Sequence, residues 1–563
     1  MPGVAKAEVV KYATIAVAEE MGVALRNTAL SPNIRDRQDF SCAVATAKGE
    51  VVAQAEHIPV HLGSLYVGVA NLLRYLESRE IELELGDVVV TNDPYIAGTH
   101  LNDVMALKPV YRSGELIGYV VCKAHHVDVG GSTPGSISVD ASSLLEEGLV
   151  LPPVKLVERG KLREDVLAIV QSNVRTPRYA RGDLLAQVAA LNVGEKRLLE
   201  LAEKVGTEAL EEAWEEALRY VERYARKRLI ELEEKFSARG AYEAEDFVEL
   251  SSGYPARIRA LVELHGGSIN IDFSGSHPQV PEPLNAVYGV TVAATTFAVK
   301  SVVDPEMPMN HGFYRVVSVD APVGSIVNPL PPAPVAGGNV ETAQRIVDVV
   351  LKALSKALPG RVPAASCGTM TNVLLGGKGW VYYETVACGS GARPFGDGVD
   401  GVHTHMTNTL NTPVEVVERE VPLLFVAYEL RPDSGGAGRY RGGLGITRAF
   451  KVLEDGVTLV VYSERHLLRA WGLAGGKEGA PSDHFVVKGD GGIVRLSAKA
   501  RVTLSKGDLV VINTPGGGGY GNPCERAREA ILRDLAEGKV SRERVAADYC
   551  QEDQHLPLSA TSA

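Results

Sequence analysis

The pattern of apolar and polar positions divides the chain into stretches of different character. Residues 7–30 carry apolar positions at helical spacing and lead into Ser31-Pro32-Asn33, where the proline disfavours helix in the residue before it. We therefore predict an opening helix. From Phe40 to His126, strand-like runs at 41–45, 88–91 and 116–121 alternate with clusters of Gly, Pro, Asn and Asp. These runs predict a sheet whose strands end in polar loops.

Between residues 183 and 236 the sequence becomes long, charged and helical. Over its second half apolar residues recur three and four positions apart, which predicts one buried stripe on a long helix. The stripe consists of Trp214, Leu218, Val221, Ala225, Leu229, Leu232 and Phe236. A stripe of this kind usually faces the core of its own protein, and a surface for a partner is the alternative.

Helix and strand patterns mix in the remainder of the chain. Ile269, Ile271 and Phe273 alternate as in a strand, and helices are predicted at 285–303 and 341–358. After about residue 415 β-branched residues and glycine turns predominate, and a polar helical tail follows. We predict an α+β fold of several units. Their bounds are 1–182 for an N-terminal region, 183–245 for a helical insertion, 246–414 for a mixed α/β region, 415–524 for a β-rich region and 525–563 for the tail.

Composition narrows the class of protein. At 563 residues the chain should divide into units, since cores stop growing beyond about 250–300 residues. A net charge of −12 without a basic run argues against a nucleic-acid partner. The six cysteines form no C-x-x-C pair, so we predict neither disulfides nor a cysteine zinc site. The sequence has neither a leader-like start nor a long apolar run, so we expect a cytoplasmic protein with no membrane contact.

Histidine and aspartate concentrate in four segments of the first third. These are Arg37-Gln38-Asp39-Phe40-Ser41, His57-Ile58-Pro59-Val60-His61, Asn92-Asp93-Pro94 with Thr99-His100-Leu101-Asn102-Asp103, and Lys123-Ala124-His125-His126-Val127-Asp128. Imidazole and carboxylate together are the ligand set of a divalent transition metal such as Zn, Mn or Fe. His100 and Asp103, three positions apart in the third segment, could reach one ion from a single turn. His125 and His126, which are adjacent in the fourth segment, point to opposite faces if the segment is extended, so only one of them should be a ligand.

Each of these patterns has a plainer alternative. A single His or Asp in a loop rich in Gly and Pro is usually a cap, a turn or a satisfied core group. The run Thr514-Pro515-Gly516-Gly517-Gly518-Gly519-Tyr520-Gly521 is similar to a phosphate-binding loop but lacks the Lys-Ser/Thr of a P-loop. A tight structural loop is at least as well supported, and we assign no ATP binding to this chain. With no G-x-S-x-G motif either, metal-assisted hydrolysis is favoured over nucleophilic catalysis.

At these same residues the chain resembles the hydantoinase B/oxoprolinase family, which includes subunits of caprolactamase and acetone carboxylase. The resemblance covers about residues 5–524. The strings that carry it are Asp39-Phe40-Ser41-Cys42-Ala43, His57-Ile58-Pro59-Val60-His61-Leu62-Gly63-Ser64, Asn92-Asp93-Pro94-Tyr95, Thr99-His100-Leu101, Ala124-His125-His126, Gly130-Gly131, Asn173-Val174-Arg175, Gly338-Asn339-Val340-Glu341-Thr342 and the glycine run from Thr514.

The resemblance implies a division of labour between two subunits of a hetero-oligomer. An A-type subunit of actin-like ATPase fold would use ATP and Mg to phosphorylate the amide oxygen of a small cyclic amide. The B-type subunit, of which this chain looks like an example, would hold one metal where the activated compound is hydrolysed. The family's metal ligands fall on Asp39, His100, Asp103 and His125.

The activity implied is that of an N-methylhydantoinase or 5-oxoprolinase, with a hydantoin, 5-oxoproline or a lactam as substrate. His126 or Asp128 would serve as the base or as a residue that orients it. One alternative is a ligase that carboxylates a small ketone, although the acetone carboxylase subunit is much longer than this chain. The other is a silent scaffold that binds the ATPase subunit.

Overall fold

The computed structural model of the chain describes residues 3–55 and 57–550, and the predicted α+β class is confirmed. A π-helical turn covers Gly338–Thr342 and a 3-10 turn Pro523–Glu525. The α-helices are α1 Gly3–Thr28, α2 Pro32–Arg35, α3 Pro59–Ser78, α4 Pro94–Ala97, α5 Leu144–Glu147, α6 Glu164–Asn173, α7 Pro177–Val205, α8 Thr207–Phe236, α9 Tyr288–Val303, α10 His311–Tyr314, α11 Ala343–Ala357, α12 Val414–Glu420, α13 Arg528–Ala536 and α14 Arg542–Asp548.

The strands belong to sheets of seven, four, four and five strands within the described residues. They are β1 Phe40–Thr46, β2 Val51–Gln54, β3 Val88–Thr91, β4 Asp103–Arg112, β5 Glu115–His125, β6 Val154–Glu158, β7 Lys161–Leu162, β8 Gly240–Glu249, β9 Pro255–His265, β10 Ser268–Asp272, β11 Val317–Asp320, β12 Asn372–Gly377, β13 Trp380–Thr385, β14 Leu423–Leu430, β15 Ile446–Val452, β16 Val457–Tyr462, β17 Asp483–Val487, β18 Ile493–Leu496, β19 Lys499–Leu504 and β20 Leu509–Asn513.

The seven-stranded sheet, in the order β2-β1-β5-β4-β3-β6-β7, has a helix layer on each face. Because side chains alternate along a strand, Cys42 and Val44 of β1 pack with α1 and α7, whereas Ala43 and Ala45 pack with α3. From residue 119 of β5 onward, the even-numbered apolar residues face α7 in the same way and the odd-numbered ones face α3. This alternation decides which polar side chains can meet at the strand ends.

The long helix α8 connects the first sheet to the second. Its stripe from Trp214 to Leu232 is buried in the two largest hydrophobic clusters, and Phe236 packs against one of them. The interpretation of the stripe as a core-facing surface is therefore confirmed. The second sheet, β11-β10-β9-β8, packs against α11, and α11 in turn packs against α9.

The C-terminal part contains two sheets, β13-β12-β16-β19 and β14-β15-β20-β17-β18, with a shared core. Beside them, four glycine-rich segments pack backbone against backbone. We call this the glycine bundle and define it as residues 389–391, 435–443, 472–479 and 516–519. The amides of Gly516, Gly517, Gly518 and Gly519 donate to carbonyl oxygens of Ala480, Gly443, Ala365 and Lys477 at 2.9–3.2 Å.

Those hydrogen bonds favour the structural interpretation of the glycine run, since no amide of residues 516–519 is left for a phosphate. A Cβ at Gly517 would collide with the carbonyl oxygen of Ser390, which explains why glycine is required there. The run is therefore a packing element.

Several other predictions can be compared with the structure. The opening helix is confirmed as α1, and the run at 88–91 coincides with β3. The prediction of no disulfides is wrong, because Cys367 pairs with Cys388 and Cys524 with Cys550, at Cα separations of 6.0 and 5.2 Å. In the described residues no helix is long and apolar enough to cross a bilayer. The division into five units stays a prediction.

Candidate metal centre

The candidate centre lies where three neighbouring strands begin or end. Asp103 is the first residue of β4, and its Cα partner across the ladder is His125, the last residue of β5. Asp39 directly precedes β1, and its carbonyl oxygen accepts a hydrogen bond from the amide of His125 at 2.9 Å. The antiparallel order β1-β5-β4 thus places three distant stretches of sequence at one edge of the sheet.

His100 completes a compact group. It precedes β4 in a tight turn, in which the amide of Asp103 donates to the carbonyl oxygen of His100 at 3.0 Å. His100, Asp103 and His125 each offer one ligand atom, and these atoms all lie within 4.8 Å of one another. The three residues are 0%, 0% and 3% exposed. The structure therefore brings three of the four predicted metal ligands together.

These side chains carry buried polar atoms without hydrogen-bond partners. They are Nδ1 and Nε2 of His100, Oδ2 of Asp103 and Nε2 of His125. Such atoms destabilise a folded protein unless something satisfies them. Two imidazoles and a carboxylate with free lone pairs fit a divalent transition metal. The donor set thus fits the ion that the sequence predicts.

Asn33 contacts the ring nitrogen of His125 that is not offered to the metal. Its Nδ2 lies 3.2 Å from Nδ1 of the ring. For Nε2 of His125 to bind a metal, Nδ1 must carry the proton. A half-turn of the Asn33 amide presents Oδ1 as the acceptor that this tautomer needs. In that orientation, Asn33 supports the tautomer of His125 that binds a metal.

Asp39 lies at the edge of the group and is 6% exposed. One carboxylate oxygen is 3.7 Å from Nη2 of Arg37, and the other is 3.8 Å from Nε2 of His61. It is not one of the three residues whose ligand atoms converge. As the fourth ligand, Asp39 stays a prediction.

His61 also belongs to this group of side chains, although no role is predicted for it from the sequence. It lies in the first turn of α3, and its Nε2 is 3.1 Å from Oδ1 of Asp103 and 3.8 Å from Oδ1 of Asp39. It therefore joins both carboxylates, while its own Nδ1 has no partner. Its neighbour on the helix, Ser64, accepts a hydrogen bond from the buried Nζ of Lys123 at 2.7 Å.

The electrostatic environment favours the metal-binding forms of His125 and Asp103 but opposes that of Asp39. Burial lowers the pKa of His125 well below its ordinary value, so the ring is neutral and keeps a lone pair. Burial opposes ionisation of Asp103, but His100 and His61 together hold the pKa of its carboxyl well below the usual range. Burial raises the pKa of Asp39 and outweighs the opposing effect of Arg37.

A residue from the C-terminal half, Tyr383, packs over one of the candidate ligands. The ring of Tyr383, from β13, stacks on His125 with centroids 4.8 Å apart and planes 5° apart. The guanidinium of Arg37 also lies over the Tyr383 ring, with Cζ 4.8 Å from the ring centre. A residue from the second half of the chain thus encloses an imidazole from the first.

His126 and Asp128 have partners of a different kind. Nε2 of His126 lies 3.1 Å from Oε1 of Gln187 on α7, the helix layer opposite α3. Asp128 accepts hydrogen bonds from the amides of Gly130 and Gly135 and from Arg175, whose Nη1 is 2.9 Å from its Oδ2. Neither belongs to the converging group. Their catalytic role stays a prediction.

The chain is similar to several known proteins. The family model described as Hydantoinase B/oxoprolinase matches residues 4–523. An uncharacterized protein of Methanocaldococcus jannaschii is 53% identical over 96% of this chain and 95% of that protein. A protein of a Pseudomonas strain, named as the candidate B-type subunit of a D-/L-hydantoinase, is 32% identical over 95% of this chain and 92% of that protein.

One relative is much longer. The 5-oxoprolinase 1 of Arabidopsis thaliana is 34% identical over 90% of this chain, but the match covers 41% of that protein. The chain therefore spans about two fifths of the length of this relative.

Two solved structures share the fold. The ATP-dependent caprolactamase from Pseudomonas jessenii superposes with a TM-score of 0.89 at 30% identity, over 96% of this chain and 95% of that chain. A nucleotide-free acetone carboxylase also gives a TM-score of 0.89, at 21% identity over 97% of this chain and 79% of that chain. The second likeness concerns the fold alone.

Proposed function

The chain belongs to the hydantoinase B/oxoprolinase family, and from this premise we propose that it is the B-type subunit of an ATP-dependent cyclic-amide hydrolase. The proposed substrates are a hydantoin, 5-oxoproline or a lactam, activated by an A-type partner subunit with an actin-like ATPase fold. The observation that carries the proposal is the convergence of His100, Asp103 and His125 with buried, unpartnered ligand atoms.

The proposed centre holds one divalent metal, Zn, Mn or Fe, on His100, Asp103, His125 and Asp39. When bound, such an ion supplies a Lewis acid and lowers the pKa of water toward neutrality. Other residues of the chain hold these ligands in position. His61 holds the carboxylates of Asp39 and Asp103 in place, and Tyr383 fixes the plane of His125.

The reaction divides between the two subunits. The partner transfers a phosphoryl group from ATP, with Mg, to the amide oxygen, which gives the ring carbon a good leaving group. Water then adds to that carbon, the ring C–N bond breaks and the nitrogen takes a proton. A second water releases phosphate, so the products are ADP, phosphate and an open-chain amino acid, which carries an N-carbamoyl group where the ring is a hydantoin. Neither subunit carries out both the phosphorylation and the hydrolysis alone.

The sizes of the relatives support a separate partner. A relative named 5-oxoprolinase carries about three fifths of its length outside the region matched here. The relative named as a hydantoinase subunit is matched over 92% of its length. Because that relative is named as a subunit, we infer that this chain works in a hetero-oligomer with an ATP-dependent A-type subunit.

For His126 and Asp128 we favour the orienting role over that of a base. The loop amides and Arg175 surround Asp128, and Gln187 engages His126, so both side chains have partners within the fold. They would then fix the strand end that carries His125.

Metal analysis together with product analysis tests the proposal. The purified chain should hold one transition-metal ion, which His100→Ala removes, while the exposed control His265→Ala on β9 keeps it. With its partner and ATP, the wild-type chain should open a cyclic amide and release phosphate. A chain without bound metal would support the silent scaffold, and bicarbonate-dependent consumption of acetone would support the carboxylase.

A further inference from the structure

A cavity of about 290 Å³ lies beside the candidate metal centre. Its wall is built from the start of α2, the start of α7, strand β13 and helix α12. The residues that matter for its chemistry are Asn33, Arg178, Trp380, Tyr383, Thr412 and Val417. Its size is at the lower end of the range of small-molecule sites, which starts at about 300 Å³.

The cavity and the metal centre share part of their wall. Asn33 lines the cavity and contacts Nδ1 of His125 at 3.2 Å. Tyr383 also lines it and stacks on the same imidazole with ring centroids 4.8 Å apart. A molecule in the cavity is therefore separated from His125 by two buried side chains.

One end of the cavity is cationic. Arg175 lines it but its guanidinium is engaged by Asp128 and the carbonyl of Gly131. Arg178 is exposed, lines the cavity, and has no hydrogen bond or ion pair to any residue that the structure describes. The acid that lines the wall, Glu420, is paired with Arg35 at 3.2 Å. Arg178 is thus the charge left available for a ligand.

Two further features point to an anion with oxygen atoms. Thr412 is 3% exposed and lines the cavity, yet its Oγ1 has no hydrogen-bond partner. The 29-residue helix α7 starts at the cavity, and its N-cap Thr176 makes no side-chain cap. Pro177 has no N–H and the amide of Ala180 donates to the carbonyl oxygen of Thr176, so the free amides of the first turn are those of Arg178 and Tyr179. Amides at a helix start favour phosphate and carboxylate groups.

The opposite wall is apolar. Trp380, Val381, Tyr382, Val417 and Val421 present aromatic and aliphatic surface. Burying the methylene groups of a small ring there removes apolar area from water. The cavity therefore offers a cationic, hydrogen-bonding end and an apolar wall within one space.

We propose that this cavity binds the phosphorylated cyclic amide, with the phosphoryl group at Arg178 and the start of α7 and the ring against the wall formed by Trp380 and Val417. This inference rests on the proposed function, because only that function supplies a phosphorylated ring. It assigns Arg178 and Thr412 to substrate recognition and leaves the metal ligands to the chemical step.

Titration of the purified chain with inorganic phosphate, followed by calorimetry, tests the site directly. Arg178→Gln should weaken phosphate binding about tenfold, as expected for loss of a charge-assisted contact. Arg178→Lys should recover part of it. Arg26→Gln, at the exposed C-terminal end of α1 and outside the cavity, is the control and should match the wild type. Equal phosphate affinity in wild type and Arg178→Gln, or no binding to the wild type, overturns the inference.

The complex with the partner subunit gives the second readout. Thr412→Val keeps the shape of the side chain and should raise KM about fivefold with metal content unchanged. An unchanged KM in this variant contradicts the role of Thr412. Absence of ring opening in the wild type together with Arg178-dependent phosphate binding would sink the proposed function but not the anion site. Ring opening by the wild type, together with phosphate affinity that does not change in Arg178→Gln, would contradict the anion site but not the proposed function.

Discussion

The metal-centre group and the glycine bundle are both buried and polar, and they differ in whether their polar atoms have partners. In the bundle, the amides of residues 516–519 all donate to backbone carbonyls. In the group of His100, Asp103 and His125, four side-chain nitrogen and oxygen atoms are buried without a partner. Since an unsatisfied buried polar atom costs about 1–3 kcal/mol, the second arrangement persists where a ligand offsets that cost.

Residue type alone therefore does not identify a binding site. A glycine run resembles a phosphate loop, and isolated His and Asp residues resemble ordinary loop residues. The hydrogen bonds support the opposite assignment in both cases: the glycine run is structural, and the His and Asp residues form the candidate site. The glycines allow close packing of backbone segments. His100, Asp103 and His125 instead keep buried polar atoms that have no hydrogen-bond partner in the protein.

The largest effect should come from adding one methyl group to the bundle. In Gly517→Ala the new Cβ meets the carbonyl oxygen of Ser390, and neither backbone can move away easily. We expect a loss of about 3 kcal/mol or more in the free energy of unfolding, measured by denaturant titration. Gly489→Ala, where nothing lies within 4 Å of the new Cβ, should change it by less than about 0.5 kcal/mol. Equal stability of the two variants would contradict the packing role of the glycines.

The second prediction compares Asp103, whose Oδ2 has no hydrogen-bond partner, with Asp128, whose carboxylate oxygens are both hydrogen-bonded. Asp103→Asn should weaken metal binding roughly 100-fold in a chelator competition, because an amide replaces a charged ligand. Asp128→Asn should destabilise the fold by about 2 kcal/mol through its lost contact with Arg175, but leave metal affinity nearly unchanged. Comparable losses of metal in both variants would mean that Asp128 belongs to the ligand sphere.

A third prediction concerns Glu147, which is buried and has one unpartnered oxygen without being part of the metal group. Burial raises the pKa of its carboxyl from 4.5 to about 8, so the folded state keeps a proton that the unfolded state loses. Stability should therefore fall between pH 4.5 and 8, with this group contributing about 1.4 kcal/mol per pH unit.

Glu147→Gln keeps the oxygen that accepts from the amides of Val335 and Ala336 and should flatten that part of the pH profile. The measurement is unfolding by denaturant at a series of pH values for both proteins. If the variant and the wild type lose stability in parallel, Glu147 is ionised in the folded protein. An unpartnered carboxyl oxygen would then need a different explanation.

Much of the fold and part of the site could be predicted from the sequence. The spacing of apolar residues located α1 and the stripe of α8, because periodicity is a local property. The resemblance to a family supplied the ligand set. His61 was missed because its role depends on the direction of α3 relative to the sheet, which no local pattern records. Tyr383 was missed because it comes from a distant strand.

The disulfides and the role of the glycine run were beyond local reasoning for the same reason. Cys367 and Cys388 are 21 positions apart and meet only when the intervening hairpin folds. The amides of residues 516–519 find acceptors in three separate segments, at residues 365, 443 and 477–480. Pairing across a long chain is a tertiary property, so composition and spacing could not decide either question.

The smallest expected effect is that of His126→Gln, and it tests whether a satisfied histidine next to a ligand takes part in chemistry. A glutamine amide can occupy the place of Nε2 and keep the contact with Gln187, so stability should change by less than about 1 kcal/mol. Metal affinity should stay within about threefold, since His125 is untouched. The ring-opening rate of the complex should also stay within about tenfold if His126 only orients the strand end. A rate at least roughly 100-fold lower with metal and stability intact would instead establish His126 as the base, because a glutamine cannot accept the proton.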